Sequence, residues 1–387
     1  MTTTSNPTIS AITGFVQINN DTSLIANALV TLRKAKADFE AAGYQVETIR
    51  VTTQPLAILV GALPEAQALA FLKQLDDFSV QENFALNVGP AMLNDTDDQA
   101  PMHVLEQALS TLPHLEACAI IADSNGIHWE TIRRTAELLL YVSQNSPQSQ
   151  GNANFAAIAM QTPYAPFFPG SYFTDEGQQF AVALECASLV EDALAKDKGR
   201  YPAALADLTA TLTQQASAAG AIATQVAQQT SWNNLGVYLS LSHLGDNSVA
   251  AAIEAYTGEK FGSGGTLTAM RLIAAAAQAV EPSGNWALTL PVAEDTLLAQ
   301  RWAEATYNID SLLAYAAVGA MGPDTIPLPG DIHPGQLKRI LSDVALLAAK
   351  GNSPLSARLL PVSGKKPGEM TNFQGPNLLN TKIHPLP

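Results

Sequence analysis

The chain has 387 residues, 47% of them hydrophobic and only 14% charged, which supplies material for a large packed core and excludes a disordered chain. Twenty Lys and Arg against 35 Asp and Glu leave a net charge of −15, a balance that opposes phosphate backbones and anionic membrane surfaces and argues against nucleic acid or membrane as partners. The two cysteines, Cys118 and Cys186, stand alone in apolar segments with no CxxC pair and no Cys/His cluster, so neither a disulfide framework nor a zinc site is expected.

The first residues, MTTTSNPTIS, lack the basic start and apolar run of a signal peptide, and the long apolar stretch at 56–72 is interrupted by Pro64 and Glu65. No stretch reaches the roughly 18 to 20 apolar residues that span a bilayer, so the expected location is cytoplasmic. In chain order, 8–18 reads as a strand, and 21–42 as a helix with Leu24, Ile25, Ala28, Leu29 and Leu32 at helical spacing and a stop at Gly43. A strand at 44–51 and a helix over 65–75, started by Pro64, follow. Further strands are predicted at 84–88, 117–121, 155–160, 235–241, 286–292, 325–328 and 357–362, with Ala-rich helices over 202–229, 248–257, 266–280 and 336–350. The polar stretch 145–154, NSPQSQGNAN, reads as an exposed loop. Strands alternating with helix-length segments define an α/β fold. No composition break marks a linker, so one large domain over 1–375 is expected, followed by a tail over 376–387.

Four turn-marked segments carry groups suited to chemistry. Residues 166–173, PFFPGSYF, form a stiff aromatic loop able to line a pocket through Phe167, Phe168 and Tyr172, or to plug the end of the core. Residues 260–266, KFGSGGT, precede a helix, and the backbone of Ser263, Gly264, Gly265 and Thr266 is a candidate anion cradle, although Ser263 and Thr266 also suit ordinary capping. In 322–334, GPDTIPLPGDIHP, Asp324 and Asp331 flank a short strand and are candidates for acid, base or divalent-cation ligand. In 357–373, ARLLPVSGKKPGEMTNF, Arg358, Lys365 and Lys366 make a local positive site beside Glu369, Thr371 and Asn372, with Glu369 as a proton acceptor or metal ligand; a solvated Lys-Lys hairpin is the alternative. The six histidines show no HxH or HExxH spacing, and there is no GxSxG elbow.

Five segments together resemble the family of uncharacterised proteins grouped as domain of unknown function 711: 155–173, 180–190, 235–267, DTIPLPGD at 324–331, and PLSARLLPVSGKKPGEMTNF at 354–373. The resemblance covers essentially the whole chain. It implies a pyruvate formate-lyase-like α/β barrel of about ten strands, surrounded by helices and made of two related halves, and it implies no settled activity. Glycyl radical enzymes sharing that barrel need a glycine and a cysteine on central loops, and neither arrangement is visible here, so no glycyl radical is expected. Relatives often carry a cysteine where this chain has Gly319 and an aspartate where it has Tyr238, while Asp324, Asp331, Arg358, Lys365, Lys366 and Glu369 match the pattern.

The leading expectation is an enzyme acting on a small anionic molecule in a central pocket, by acid–base or metal-assisted chemistry. Arg358, Lys365 and Lys366 would hold the anion, with Asp324, Asp331 or Glu369 as acid, base or ligand to a divalent metal. The alternative is a non-catalytic ligand-binding or self-assembling protein on an old enzyme scaffold. A homo-oligomer fits either one.

Overall fold

The structure, a computed structural model, describes all residues except 1–6, 20, 168–169, 175–176, 243–246, 281–285, 376 and 387. β-Branched and apolar runs form the strands β1 (Thr8–Phe15), β2 (Gln45–Thr52), β3 (Ala85–Asn87), β4 (Leu115–Asp123), β5 (Gly126–Ile127) and β6 (Phe155–Ala159). The second part of the chain adds β7 (Gln179–Glu185), β8 (Asn233–Leu241), β9 (Trp286–Leu288), β10 (Ile326–Pro329), β11 (Leu355–Ala357) and β12 (Leu359–Val362).

One mixed sheet runs in the order β11-β6-β4-β3-β2-β1-β7-β8-β9, with β5 hairpinned onto β4. Strands β6, β4, β3, β2 and β1 are mutually parallel, as are β7, β8 and β9. The two sets meet antiparallel at β1 and β7, where Thr13 lies opposite Ala181 and Phe15 opposite Gln179. Parallel neighbours require crossovers, supplied by helices such as Ser23–Ala41 between β1 and β2 and Tyr201–Thr230 between β7 and β8. The sheet curls into a half-barrel with the helices around it. Gly14 makes one such contact close, since a Cβ there would lie 2.8 Å from Leu32 of the first helix.

The two outer edges approach the same segment. Met321 donates its N–H to Leu288 O (2.8 Å) and accepts from Ser356 N (2.6 Å), while Asp324 O accepts from Val292 N (2.9 Å) and Pro323 O from Arg358 N (3.0 Å). Residues 321–324 thus stitch the β9 side to the β11 side. β10 and β12 form a separate parallel pair just beyond this seam.

Most of the apolar interior is one contiguous cluster running from Ile9 to Leu359. The long helix Tyr201–Thr230 shows why alanine is so frequent: Ala204, Leu208, Leu212, Ala216, Ala219, Ala223 and Val226 make a buried stripe at helical spacing, and small side chains let β8 and three other helices pack close.

Two expectations change. Pro147–Asn154 forms 3₁₀ turns rather than an exposed loop, with Ser149 and Asn152 buried: Ser149 Oγ donates to Ser143 O and Asn152 Nδ2 to Leu139 O, while Asn152 Oδ1 has no hydrogen-bond partner among the described residues. β9 ends at Leu288, and beyond it Pro291 pairs only as an isolated bridge with Asp324. The terminal residues are packed: Leu378 and Ile383 are buried with Phe373, Trp302 Nε1 donates to Lys382 O (2.8 Å), and His384 stacks on the Trp302 ring. Among the described residues, no helix is long and apolar enough to cross a membrane.

Candidate functional site

Residues opposite one another across neighbouring strands share a face. Phe15 packs with Tyr164, Phe173 and Ala181 on the concave side, and the register carries that face through Thr52, Asn87 and Glu116 in one row and Thr13 and Arg50 in the next. The described residues of the loop 161–174 lie across it. Pro166 O accepts hydrogen bonds from Thr13 Oγ1 (3.3 Å) and Arg50 Nη1 (3.0 Å), and Ser171 O accepts from Asn87 Nδ2 (3.2 Å). Phe167 meets Tyr238 edge-on, with ring centroids 5.8 Å apart. Tyr164 OH clamps the loop's end, accepting from Thr174 N (3.0 Å). Two non-glycine residues at the loop's base, Met160 and Tyr164, hold positive φ angles of 56° and 67°. Tyr172 is half-buried, and burial pushes its hydroxyl pKa up; Phe168 lies outside the described residues.

At the seam, the third and fourth motifs meet. Arg358 Nε contacts Asp324 Oδ1 (2.5 Å), and its two terminal nitrogens take Glu294 as a fork, at 2.9 and 3.2 Å. Burial works against the charged guanidinium, yet Asp324 and Glu294 outweigh it and hold Arg358 more firmly protonated than usual. Nearby, Arg50 Nε lies 3.3 Å from Glu116 Oε2. Burial pushes the Glu116 carboxyl towards its neutral form, partly offset by the charges of Arg50 and Arg358. Arg358 thus binds the protein's own carboxylates Asp324 and Glu294, and its charge reaches the half-buried Arg50–Glu116 pair beside them. Glu294, Glu116 and Arg50 carried no local motif, so sequence reasoning passed over them.

At the carboxyl ends of β7 and β8, Glu185 lies opposite Ser240, two residues beyond the Ala183–Tyr238 pair. Glu185 is 6% exposed, its Oε1 accepts from Ala187 N (2.7 Å), and burial pushes its pKa up to about 8 despite hydrogen bonds from Ala187 and Ser240. Two residues on, Ser242 Oγ accepts from Thr289 Oγ1 (2.6 Å). Glu185 was also missed. Its signal is a single acid closing the apolar run FAVAL. Tyr238 occupies the neighbouring concave position. Gly319 has φ 144°, and a Cβ on it would come 2.3 Å from Ala274 Cβ, so no side chain fits there as the helix Thr266–Gln278 stands.

The remaining expected residues lie elsewhere. Gly330 N donates to Lys365 O (2.9 Å), which joins the two loops through backbone, but Asp331, Lys366, Glu369 and Asn372 are exposed and Lys365 half-buried. Glu369 Oε2 accepts from Lys366 N (2.7 Å), the bond of a solvated turn. In the glycine-rich segment, Gly265 takes φ 101° before the helix, Thr266 Oγ1 accepts from Gly262 N (3.0 Å), and Thr266 N donates to Ser263 O (3.2 Å). Glu254 fixes the same segment through Phe261 N (2.8 Å) and pairs with Arg301 (2.6 Å). Ser263, Gly264, Gly265 and Thr266 thus build a helix entry. Among the described residues, no group of three or more His, Cys, Asp or Glu is placed to hold a metal ion. Both cysteines are unbridged and buried, and burial raises both thiol pKa values.

Fold and site define an α/β half-barrel protein with a buried charged seam and an aromatic loop across its concave face. The chain belongs to the family described as uncharacterised ACR (DUF711), whose model matches residues 2–374. It is similar to a UPF0210 protein of Pyrobaculum aerophilum, 28% identical over 357 residues covering 86% of this chain and 77% of that one. A UPF0210 protein of Listeria monocytogenes is 24% identical over 356 residues, covering 86% of this chain and 78% of its own.

Proposed function

We propose that this chain is an enzyme that transfers a proton to or from a small anionic molecule at the carboxyl ends of β7 and β8, with Glu185 as the acid–base group and Ser240 beside it. The observation carrying this reading is a carboxyl, nearly closed off from water, set opposite a hydroxyl where α/β folds present ligands. A pKa of about 8 suits a group that both gives and takes protons near neutral pH. The anionic class is supported by the helices Ala187–Lys196 and Val249–Thr257, whose amino ends follow these strands. In this reading Asp324 and Arg358 brace the wall, and the exposed Asp331, Lys365, Lys366 and Glu369 take no part in proton transfer. The two oppositely running parallel sets also support the finer fold reading, a pyruvate formate-lyase-like barrel of two related halves.

The Phe167–Tyr238 contact favours the second reading, a non-catalytic protein, because it fills part of the concave face with rings. Glu185→Gln distinguishes the two. Because the native state holds the Glu185 proton up to about pH 8 while an unfolded glutamate releases it near about 4.3, that proton favours folding below about pH 4.3, and the contribution is lost as pH rises through 8. Urea unfolding of E185Q should therefore show a flatter pH dependence across that window. In D₂O, C–H exchange in a panel of small carboxylic and phosphorylated acids should occur with the parent protein and fail with E185Q. A Glu185 titrating in the ordinary carboxylate range, or exchange undiminished in E185Q, overturns the reading.

A further inference from the structure

The helix ends near 109–113 and 144–151 and the terminal residues Gln374, Asn377 and Leu378 enclose a groove of about 810 Å³. That volume lies in the range of binding sites. Among the described residues lining it none is charged, in a chain of net charge −15. In place of charge it has side-chain amides: Gln144, Asn145, Gln148, Gln150, Asn154 and Asn377. An amide offers a donor and an acceptor side by side, the pattern that a peptide unit also presents.

The groove already shows what its amides bind. Gln150 takes both main-chain groups of Gln374, with Nε2 donating to Gln374 O (2.6 Å) and Oε1 accepting from Gln374 N (2.8 Å). The residue before is held the same way from elsewhere: Asn380 Oδ1 accepts from Phe373 N (2.6 Å) and Nδ2 donates to Phe373 O (3.1 Å). Asn154 Nδ2 donates to the main chain too, at Pro113 O (2.7 Å). Consecutive residues of one segment are thus fixed by side-chain amides reading backbone. The rim is also held under strain: Gln148 and Ser149, neither a glycine, take φ of 48° and 61°, and Ser149 is locked by bonds with Ser143 O (2.7 Å) and Ser363 N (2.9 Å). Adjacent left-handed residues that cost energy and are pinned from two sides mark a surface whose shape is maintained.

We propose that this groove is a binding site for an extended, uncharged polypeptide segment, read through its main chain by the groove's amides. Gln144, Gln148 and Asn377 line the groove as well and supply donors and acceptors beyond those Gln150 spends on Gln374. Among the described residues, no Phe, Tyr or Trp lines the groove to stack a sugar ring, which favours peptide over carbohydrate. The absence of charge predicts discrimination: a Lys or Glu side chain entering the groove would lose hydration with no partner of opposite sign.

The test uses the full chain and three probes: a capped octapeptide of Ser, Thr, Asn and Val, the same peptide with alternate residues replaced by Lys, and maltotriose. Titration followed by amide NMR should give saturable shifts at 144–154 with the uncharged peptide, at a Kd of about 1 mM or tighter, and at least about tenfold weaker binding of the Lys peptide. The double variant Gln144→Ala with Asn377→Ala, at unchanged melting temperature, should weaken the uncharged peptide by at least about tenfold. Gln144→Glu should weaken it as well, with the backbone unaltered. No saturable shift with the uncharged peptide, equal binding of the Lys peptide, or saturation by maltotriose alone overturns the proposal.

Discussion

Replacing Arg358 would strand two carboxylates, because Asp324 and Glu294 both depend on its guanidinium in a region with little water. Breaking a buried ion pair from one side costs about 3–5 kcal/mol, so Arg358→Met should lose stability on that scale in urea unfolding. Arg358→Lys should rescue little of it, since an ammonium cannot fork onto Glu294 while holding Asp324. A loss below about 1 kcal/mol would mean that the cluster is hydrated and the wall it braces is loose. At this scale the sequence was partly legible. The turn-fixed setting of Asp324 and Arg358 marked both as special, but not their partnership with each other or with Glu294, which joins from a separate turn. Lys366 and Glu369 illustrate the converse: residues dense in charge and close in sequence gather in a solvated turn, where water supplies what a pocket would.

Among the elements, the segment 321–324 has the most exacting geometry, for it is bonded on both sides while passing through Gly322. That glycine has φ 114°, and a Cβ would sit 2.3 Å from Ser356 O, so neither the backbone angle nor the space admits a side chain. Gly322→Ala should cost about 1–3 kcal/mol and raise amide exchange at Ser356 and Arg358 more than at the centre of β1. Equal protection at both places would show that the seam tolerates the methyl. Helices with a polar face and strands with β-branched residues were readable from periodicity. β7, whose residues are all buried, was not among the strands read from the sequence, although the equally buried β6 was. The short seam was unreadable because its bonds come from strands on both sides, and nothing in four residues records that.

For the molecule as a whole, the contiguous core predicts one cooperative unit, and the two buried thiols provide reporters in the two strand sets, Cys118 on β4 and Cys186 just after β7. Pulsed thiol labelling across a urea series, resolved by peptide mass, should give coincident midpoints for both. Separate midpoints would divide the chain into two folding units. The α/β class followed from alternation of element types, while the reversal between β1 and β7 did not, since it rests on pairing residues such as Thr13 and Ala181 that no local pattern connects. The same long-range pairing has a consequence in time. β6 is complete at Ala159, yet the strand that covers its outer edge ends at Ala357. At roughly 5–20 residues per second of synthesis, that edge stays open on the ribosome for about 10–40 s. An uncovered strand edge is a template for pairing with other chains. The half-finished protein therefore passes through a window of stickiness set by translation speed, and slower synthesis between β6 and β11 should lower the soluble yield without altering the folded product.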